Sequence, residues 1–396
     1  MGLMFSTWLG YWLLGAALLA IGMVGSARSQ SPTIGFILGV LFNLPLVVAM
    51  YAVVACGADG MESGGLSGSA PTGGSEPVAG QTITLVTHDS FSISEGTLEA
   101  FTAETDVTVV VQSAGDTGQM VSSAILTAGD PLGDVMFGVD NTFLQRALDA
   151  GLFEAYESPA LSGVPEELRL DPQHRVTPID FGDVCVNYWI DHFGDDVAVP
   201  TTLDDLADPA YADLLVVQNP ETSSPGLAFL LATIAEYGDG WEDYWAALRD
   251  NGVLVTSGWE DAYWGEFVSG GGDRPIVVSY ASSPPAEVVY SDPPISTPPT
   301  GVVTDTCFRQ VEFAGILAGT EHRGAAELLV DFLLSPTFQE DIPLNMFVFP
   351  ALADAEIPPV FVDFVELAGD PHSLDPAEIE AHRNEWTDRW TEIVLR

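Results

Sequence analysis

The chain has 396 residues with 57 acidic and 11 basic side chains, a formal charge of −46 at neutral pH; every basic residue is an arginine, and lysine is absent. That charge excludes nucleic acid as a partner, and a hydrophobic content of 47% excludes a disordered chain, in which high charge goes with low hydrophobicity. The acidic excess therefore belongs to the surface of a folded protein, where it self-repels in dilute buffer and is tolerated in concentrated salt, as on a halophile's surface.

Between Met1 and Ala58 the single charged side chain is Arg28. Two apolar runs, Met4–Val24 and Thr33–Val54, are each long enough to cross a bilayer about 30 Å thick. In one reading they form a transmembrane hairpin with Arg28 in the cytoplasmic turn. In the other, Thr33–Val54 is the core of a signal peptide ending in Val53-Val54-Ala55-Cys56, a lipobox-like sequence. Translation from Met23 would give that signal ordinary proportions, with Arg28 in its charged leader. The tether that follows favours a lipid anchor on Cys56, and both readings place the remainder outside the cell. Residues 1–56 are thus a membrane or lipoprotein signal region, and 57–80, rich in Gly and Ser, a flexible tether.

From residue 81 to 396 the chain exceeds the size at which single cores divide, so two lobes are expected. In the first, Thr82–Thr87, Val107–Gln112 and Asp134–Gly138 read as strands, alternating with helices at Gly96–Thr105, Thr117–Ala128 and Asn141–Ala150. That alternation predicts a parallel sheet covered on both faces, with ligands beyond the carboxyl ends of its strands. The polar clusters there are His88-Asp89-Ser90, Gly115-Asp116-Thr117 and Asp140-Asn141. A second α/β stretch has strands at Val184–Ile190, Leu214–Gln218 and Ile276–Tyr280, helices at Thr202–Ala207 and Gly226–Tyr237, a long strand-like run at Thr306–Ile316 and a helix at Gly324–Leu334. The lobes are expected at about 81–183 with part of 281–345, and about 184–280 with the C-terminal helices. The last helix, Asp375–Val394, carries Trp386 and Trp390 four apart on one face, a packing pattern.

Pro220 to Gly226 leaves a strand and enters an apolar helix, with Ser223 or Ser224 as N-cap and Pro225 as first helical residue. Its free N–H groups and two hydroxyls make either an anion site or a simple cap. Trp259 and Tyr263 share a helical face, which suits core packing or a flat cation held by stacking. Tyr280-Ala281-Ser282-Ser283-Pro284 adds an aromatic and two serine hydroxyls at a strand's end. Cys185 and Cys307 lie in the two runs that would cross between lobes; outside the cell they form a disulfide or remain two buried thiols. No G-x-S-x-G elbow, P-loop, H-E-x-x-H or C-x-x-C occurs, so nothing proposes an enzyme or a metal site.

Taken in order, Thr87 to Phe91, Gly138 to Asn141, Pro220 to Leu227, Val255 to Tyr263, Val278 to Pro284, Ser335 to Pro343, Phe349-Pro350 and Ala377 to Trp390 resemble the thiamine-binding solute-binding proteins of ABC importers. The resemblance implies a two-lobed type II periplasmic binding protein fold, α/β throughout, with the ligand in the interlobe cleft. It implies thiamine, thiamine monophosphate or thiamine pyrophosphate as ligand, no cofactor and no catalysis. An ABC permease with its ATPase is the implied partner of a monomeric, membrane-anchored receptor. It puts Asp116 and Thr117 at the ligand, Ser223 and Ser224 at a phosphate or hydroxyethyl end, and Trp259 with Tyr280 to Pro284 around the rings. His88 stands where that family commonly has Tyr, and Phe347 where it has Trp. Alternatives are the same fold holding iron, a polyamine or a related vitamin, a tethered secreted hydrolase, or a structural surface protein.

Overall fold

The computed structural model describes Val78–Arg396; the apolar runs, Arg28, Cys56 and nearly all of the tether lie outside the described residues. Among the described residues no helix is long and apolar enough to cross a membrane.

The first half is built as expected. Strand β1 (Thr82–Thr87), helix α1 (Glu95–Thr105), strand β2 (Thr108–Ser113), helix α2 (Thr117–Leu126), strand β3 (Val135–Asp140) and helix α3 (Leu144–Asp149) alternate, and β1 pairs in parallel with both β2 and β3. All six residues of β3 are buried, as suits an interior strand with both faces covered. Beyond the short β4 (Phe153–Glu154), strand β5 (Thr177–Trp189) begins seven residues ahead of the expected start. Pro178, Asp180 and Gly182 read as loop residues in isolation; pairing with β9 on one side and with Phe349-Pro350 on the other overrides that local preference.

The second half follows with α4 (Leu203–Leu206), β6 (Leu215–Gln218), α5 (Ser224–Tyr237), α6 (Trp241–Asp250), β7 (Leu254–Thr256), β8 (Ile276–Tyr280) and α7 (Ser283–Val289). Helix α5 is buried continuously from Ser224 to Thr233, the signature of a helix inside the molecule. Helix α6, which the sequence reading passed over, buries Trp241, Tyr244, Trp245 and Leu248, an i, i+3, i+4, i+7 stripe. Strand β9 (Thr300–Leu317) then runs the length of the sheet, followed by α8 (Arg323–Leu333), α9 (Pro336–Gln339), α10 (Ile342–Asn345), β10 (Phe349–Pro350), α11 (Pro359–Phe364) and α12 (Pro376–Val394).

The strands form one sheet in the order β2-β1-β3-β9-β5-β8-β6-β7. It is mixed: the two outer groups are parallel within themselves, and antiparallel β9 and β5 join them. A register shift in the β5–β9 ladder between Val184 and Val186 brings Cys185 onto Cys307, and the two are disulfide-bonded.

Helix α12 starts on an N-cap hydrogen bond from Ala377 N to Asp375. It was expected with the second lobe, yet it spans both halves. Trp390, fully buried, meets Trp245 of α6 edge to face at 5.4 Å, and Arg383 lies 5.0 Å over Phe143 at the start of α3. Its tryptophans are packing residues, as their spacing indicated.

Candidate functional site

Parallel strands end on the same rim of this sheet, where open α/β folds bind ligands. A cleft of about 280 Å³ opens there. The first half contributes His88 and Asp89 after β1, and Asp116 and Thr117 at the start of α2. The second half contributes Ser224 of α5, Trp259 after β7, and Tyr280 and Ser283 around the end of β8. Glu312 of β9 and Phe347 complete the ring from the connecting segments.

One wall is aromatic. Trp259 stacks on Tyr263 at 5.0 Å with ring planes 17° apart, and Trp264 stands edge-on to both. Hydrogen bonds fix the pair: Trp259 Nε1 donates to Ser279 Oγ at 2.9 Å, and the Tyr263 hydroxyl donates to Glu287 at 2.6 Å. Phe347 meets Tyr290 edge-on at 5.4 Å. Its φ of 55° lies in the left-handed region, unusual for an aromatic residue, and the Ser282 hydroxyl donates to its carbonyl oxygen there.

Carboxylates supply the other surface. Asp116 caps α2 and also reaches across the cleft. Its Oδ1 accepts from Thr117 N at 2.7 Å and Ser224 N at 3.2 Å, and its Oδ2 accepts from Trp259 N at 3.2 Å. The backbones approach closely at this seam: a Cβ on Gly118 would lie 2.8 Å from the carbonyl oxygens of Glu221 and Thr222. Burial pushes the Asp116 carboxyl above its ordinary range, outweighing the Ser223 hydroxyl and the amides that favour its ionised form.

Cross-strand register aligns Asp140 of β3, Glu312 of β9 and Asp180 of β5 in one row beneath the rim. Asp140 and Asp180 are buried, whereas Glu312 lines the cleft. Asp140 accepts from Thr142 N at 2.8 Å and from Gln310, and burial lifts its carboxyl to about 6. Burial and the adjacent Glu312 raise Asp180 well above the usual range. His88 Nε2 lies 3.4 Å from Glu312; burial pulls the imidazole down, but the charge and hydrogen bond of Glu312 together with the charges of Asp116 and Asp89 outweigh it and leave His88 above its ordinary value.

Of the twelve residues expected at the ligand, His88, Asp116, Thr117, Ser224, Trp259, Tyr280, Ser283 and Phe347 line the cleft. Four do not. Ser223 is fully buried at the start of α5, and its side chain makes no capping bond to the helix. Ser224, rather than Pro225, is the first helical residue. Ala281 packs against the disulfide, Ser282 positions Phe347, and Pro284 is buried in the first turn of α7. Sequence reasoning missed Glu312. Its signal was a charged residue between Val311 and Phe313 in a strand otherwise fit for burial.

A mixed sheet of two parallel groups bridged by crossing strands, with a cleft at their facing ends, defines a two-lobed type II solute-binding protein. The chain belongs to the bacterial extracellular solute-binding proteins, whose family profile matches residues 130–364. It is 28% identical over 324 residues to the thiamine-binding periplasmic protein of Salmonella typhimurium, covering 79% of this chain and 94% of that one. It is 26% identical over 306 residues to iron uptake protein A2 of Synechocystis sp., covering 74% and 84%. A solved structure of a periplasmic thiamin binding protein superposes with a TM-score of 0.70 at 25% identity, covering 83% of this chain and all of that one. The chain is therefore the substrate-binding component of an ABC importer, a receptor rather than an enzyme.

Proposed function

We propose that this receptor captures thiamine, free or phosphorylated, outside the cell and delivers it to a membrane permease. The observation that carries the reading is the stacked Trp259–Tyr263 pair sharing one cleft with Asp116 and Glu312. Thiamine is flat, aromatic and carries a thiazolium cation; ring faces attract such a cation, and carboxylates in a partly desolvated cleft attract it further. The thiamine-binding relatives, matched over most of their length, support the same reading. Cys56 and the tether would hold the receptor to the outer face of the membrane, and the lysine-free acidic surface suits concentrated salt.

Iron has weaker support despite the cyanobacterial relative. Among the described residues no group of three His, Cys, Asp or Glu is arranged to hold a metal ion. The cleft's Tyr263 and Tyr280 hydroxyls are also engaged elsewhere, donating to Glu287 at 2.6 Å and to Gln310 at 2.7 Å.

Equilibrium dialysis of the full chain in multimolar KCl against thiamine, spermidine and ferric citrate tests the proposal. Saturable retention of thiamine, one per chain, is expected. Retention of spermidine or iron in its place would overturn it.

A further inference from the structure

We propose that His88 is a proton-controlled counter-charge of the cleft: its imidazolium and a cationic ligand compete for one acidic surround, so capture of thiamine expels a proton from the ring. This rests on the thiamine reading above and adds a regulation to the same site.

The ring is built into its place. His88 follows the end of β1, and Gly138 of β3 leaves it room, because a Cβ on Gly138 would clash with His88 Cδ2. Phe137 flanks the ring at 5.8 Å. In this slot Nε2 faces a Glu312 oxygen at 3.4 Å; the two side chains are 13% and 14% exposed, and both line the cleft. The pair is thus shielded from bulk solvent and yet adjoins whatever fills the cleft.

The charged groups that face the ring are acidic. Glu312 reaches it from β9, Asp116 from the start of α2, Asp89 from the next position in the chain and Glu260 from the segment after β7. Behind Glu312, burial makes Asp140 of β3 and Asp180 of β5 hold their protons above the usual carboxylate range. Among the described residues no arginine lines the cleft, and the chain has no lysine, so His88 is the lining side chain that can carry a positive charge. Its acidic neighbours outweigh the burial of the ring and keep the proton on beyond the ordinary imidazole range.

A thiamine cation entering the cleft draws on the same carboxylates and meets an imidazolium, and salt screens that repulsion less inside a cleft than on an open surface. Loss of the ring proton removes the repulsion and frees the Glu312 charge from its partner. Linkage makes the effect mutual: a proton on His88 weakens thiamine by the factor by which thiamine weakens the proton. Exchange of one proton per ligand changes affinity by up to about tenfold per pH unit. The sign follows, with affinity rising with pH until the free ring is neutral and level above that.

Calorimetric titration of the full chain with thiamine in multimolar KCl tests this. Run at about pH 6.5 in PIPES and in Bis-Tris, two buffers of different ionisation enthalpy, it counts the protons released; affinities follow from pH 6 to 8. The unaltered chain should release at least about half a proton per thiamine and bind about tenfold more tightly at the upper end of that range. His88→Gln should lose most of the release and flatten the profile, whatever it does to the affinity itself. Where that variant does not fold, His88→Tyr keeps a ring in the slot with no charge in this range. No net release by the unaltered chain, or equal release after substitution of His88, would overturn the inference while leaving the thiamine receptor standing. Absence of thiamine binding at every pH would overturn the thiamine reading and this inference with it.

Discussion

Asp116 sets one carboxylate against three backbone N–H groups, one from its own helix and two from the opposite half of the molecule. Each bond is modest, but stripping the acceptor leaves buried amides unsatisfied, at about 1–3 kcal/mol for each such group. Asp116→Ala should therefore weaken thiamine at least tenfold while the protein remains folded, measured by titration alongside a melting curve; unaltered affinity would show that the seam does not contribute to capture. Not every residue at the cleft was equally legible. The Trp259–Tyr263 face follows from i, i+4 spacing, and His88 and Asp116 from their places at strand and helix ends. Glu312 was hidden because a chain with 57 acidic residues makes any one carboxylate uninformative until register places it between Asp140 and Asp180.

At the scale of elements, β9 brings its acidic residue between two strands that carry acidic residues at the paired positions, so the row is a property of the sheet. Its titration has a definite sign. Asp140 is raised by burial to about 6, above its unfolded value near 4, so the folded state holds the extra proton between those values. Its contribution to stability is thus full below about pH 4 and declines as pH climbs through about 6. Asp205, held low by hydrogen bonds from Thr201, contributes in the opposite sense, losing stability as pH falls below the ordinary carboxylate range. Melting temperatures of the unaltered chain and Asp140→Asn, compared from pH 4 to 7 in molar KCl, should converge or cross as the unaltered chain loses this contribution. Parallel curves would contradict the assignment. The early strands and α5 were readable from hydrophobic runs and turn residues. The first part of β5 was not, because Pro178, Asp180 and Gly182 are tolerated there by pairing with β9 and β10, a tertiary effect.

For the whole molecule, the distribution of charge sets the working conditions. A net charge of −46 repels itself at long range unless ions screen it. The melting temperature should rise by several degrees or more between 0.1 M and 2 M KCl, and a curve unchanged across that range would contradict the proposed adaptation to salt. The two-lobed plan was legible from the length and the βα alternation. The bridging by α12 was not, since the spacing of Trp386 and Trp390 reveals a packing face but not which halves it packs against, and the place of Arg383 over Phe143 has no sequence signal.

The most direct test of the thiamine-receptor account is intrinsic tryptophan fluorescence of the full chain in multimolar KCl, titrated with thiamine, for the unaltered protein, Trp259→Ala and Trp386→Ala. Trp386 lies in α12 and does not line the cleft. The account predicts saturable quenching in the unaltered protein and in Trp386→Ala, with affinity reduced tenfold or more in Trp259→Ala, about the worth of one desolvated cation–π contact. Quenching of equal affinity in Trp259→Ala, or none in the unaltered protein, would contradict it.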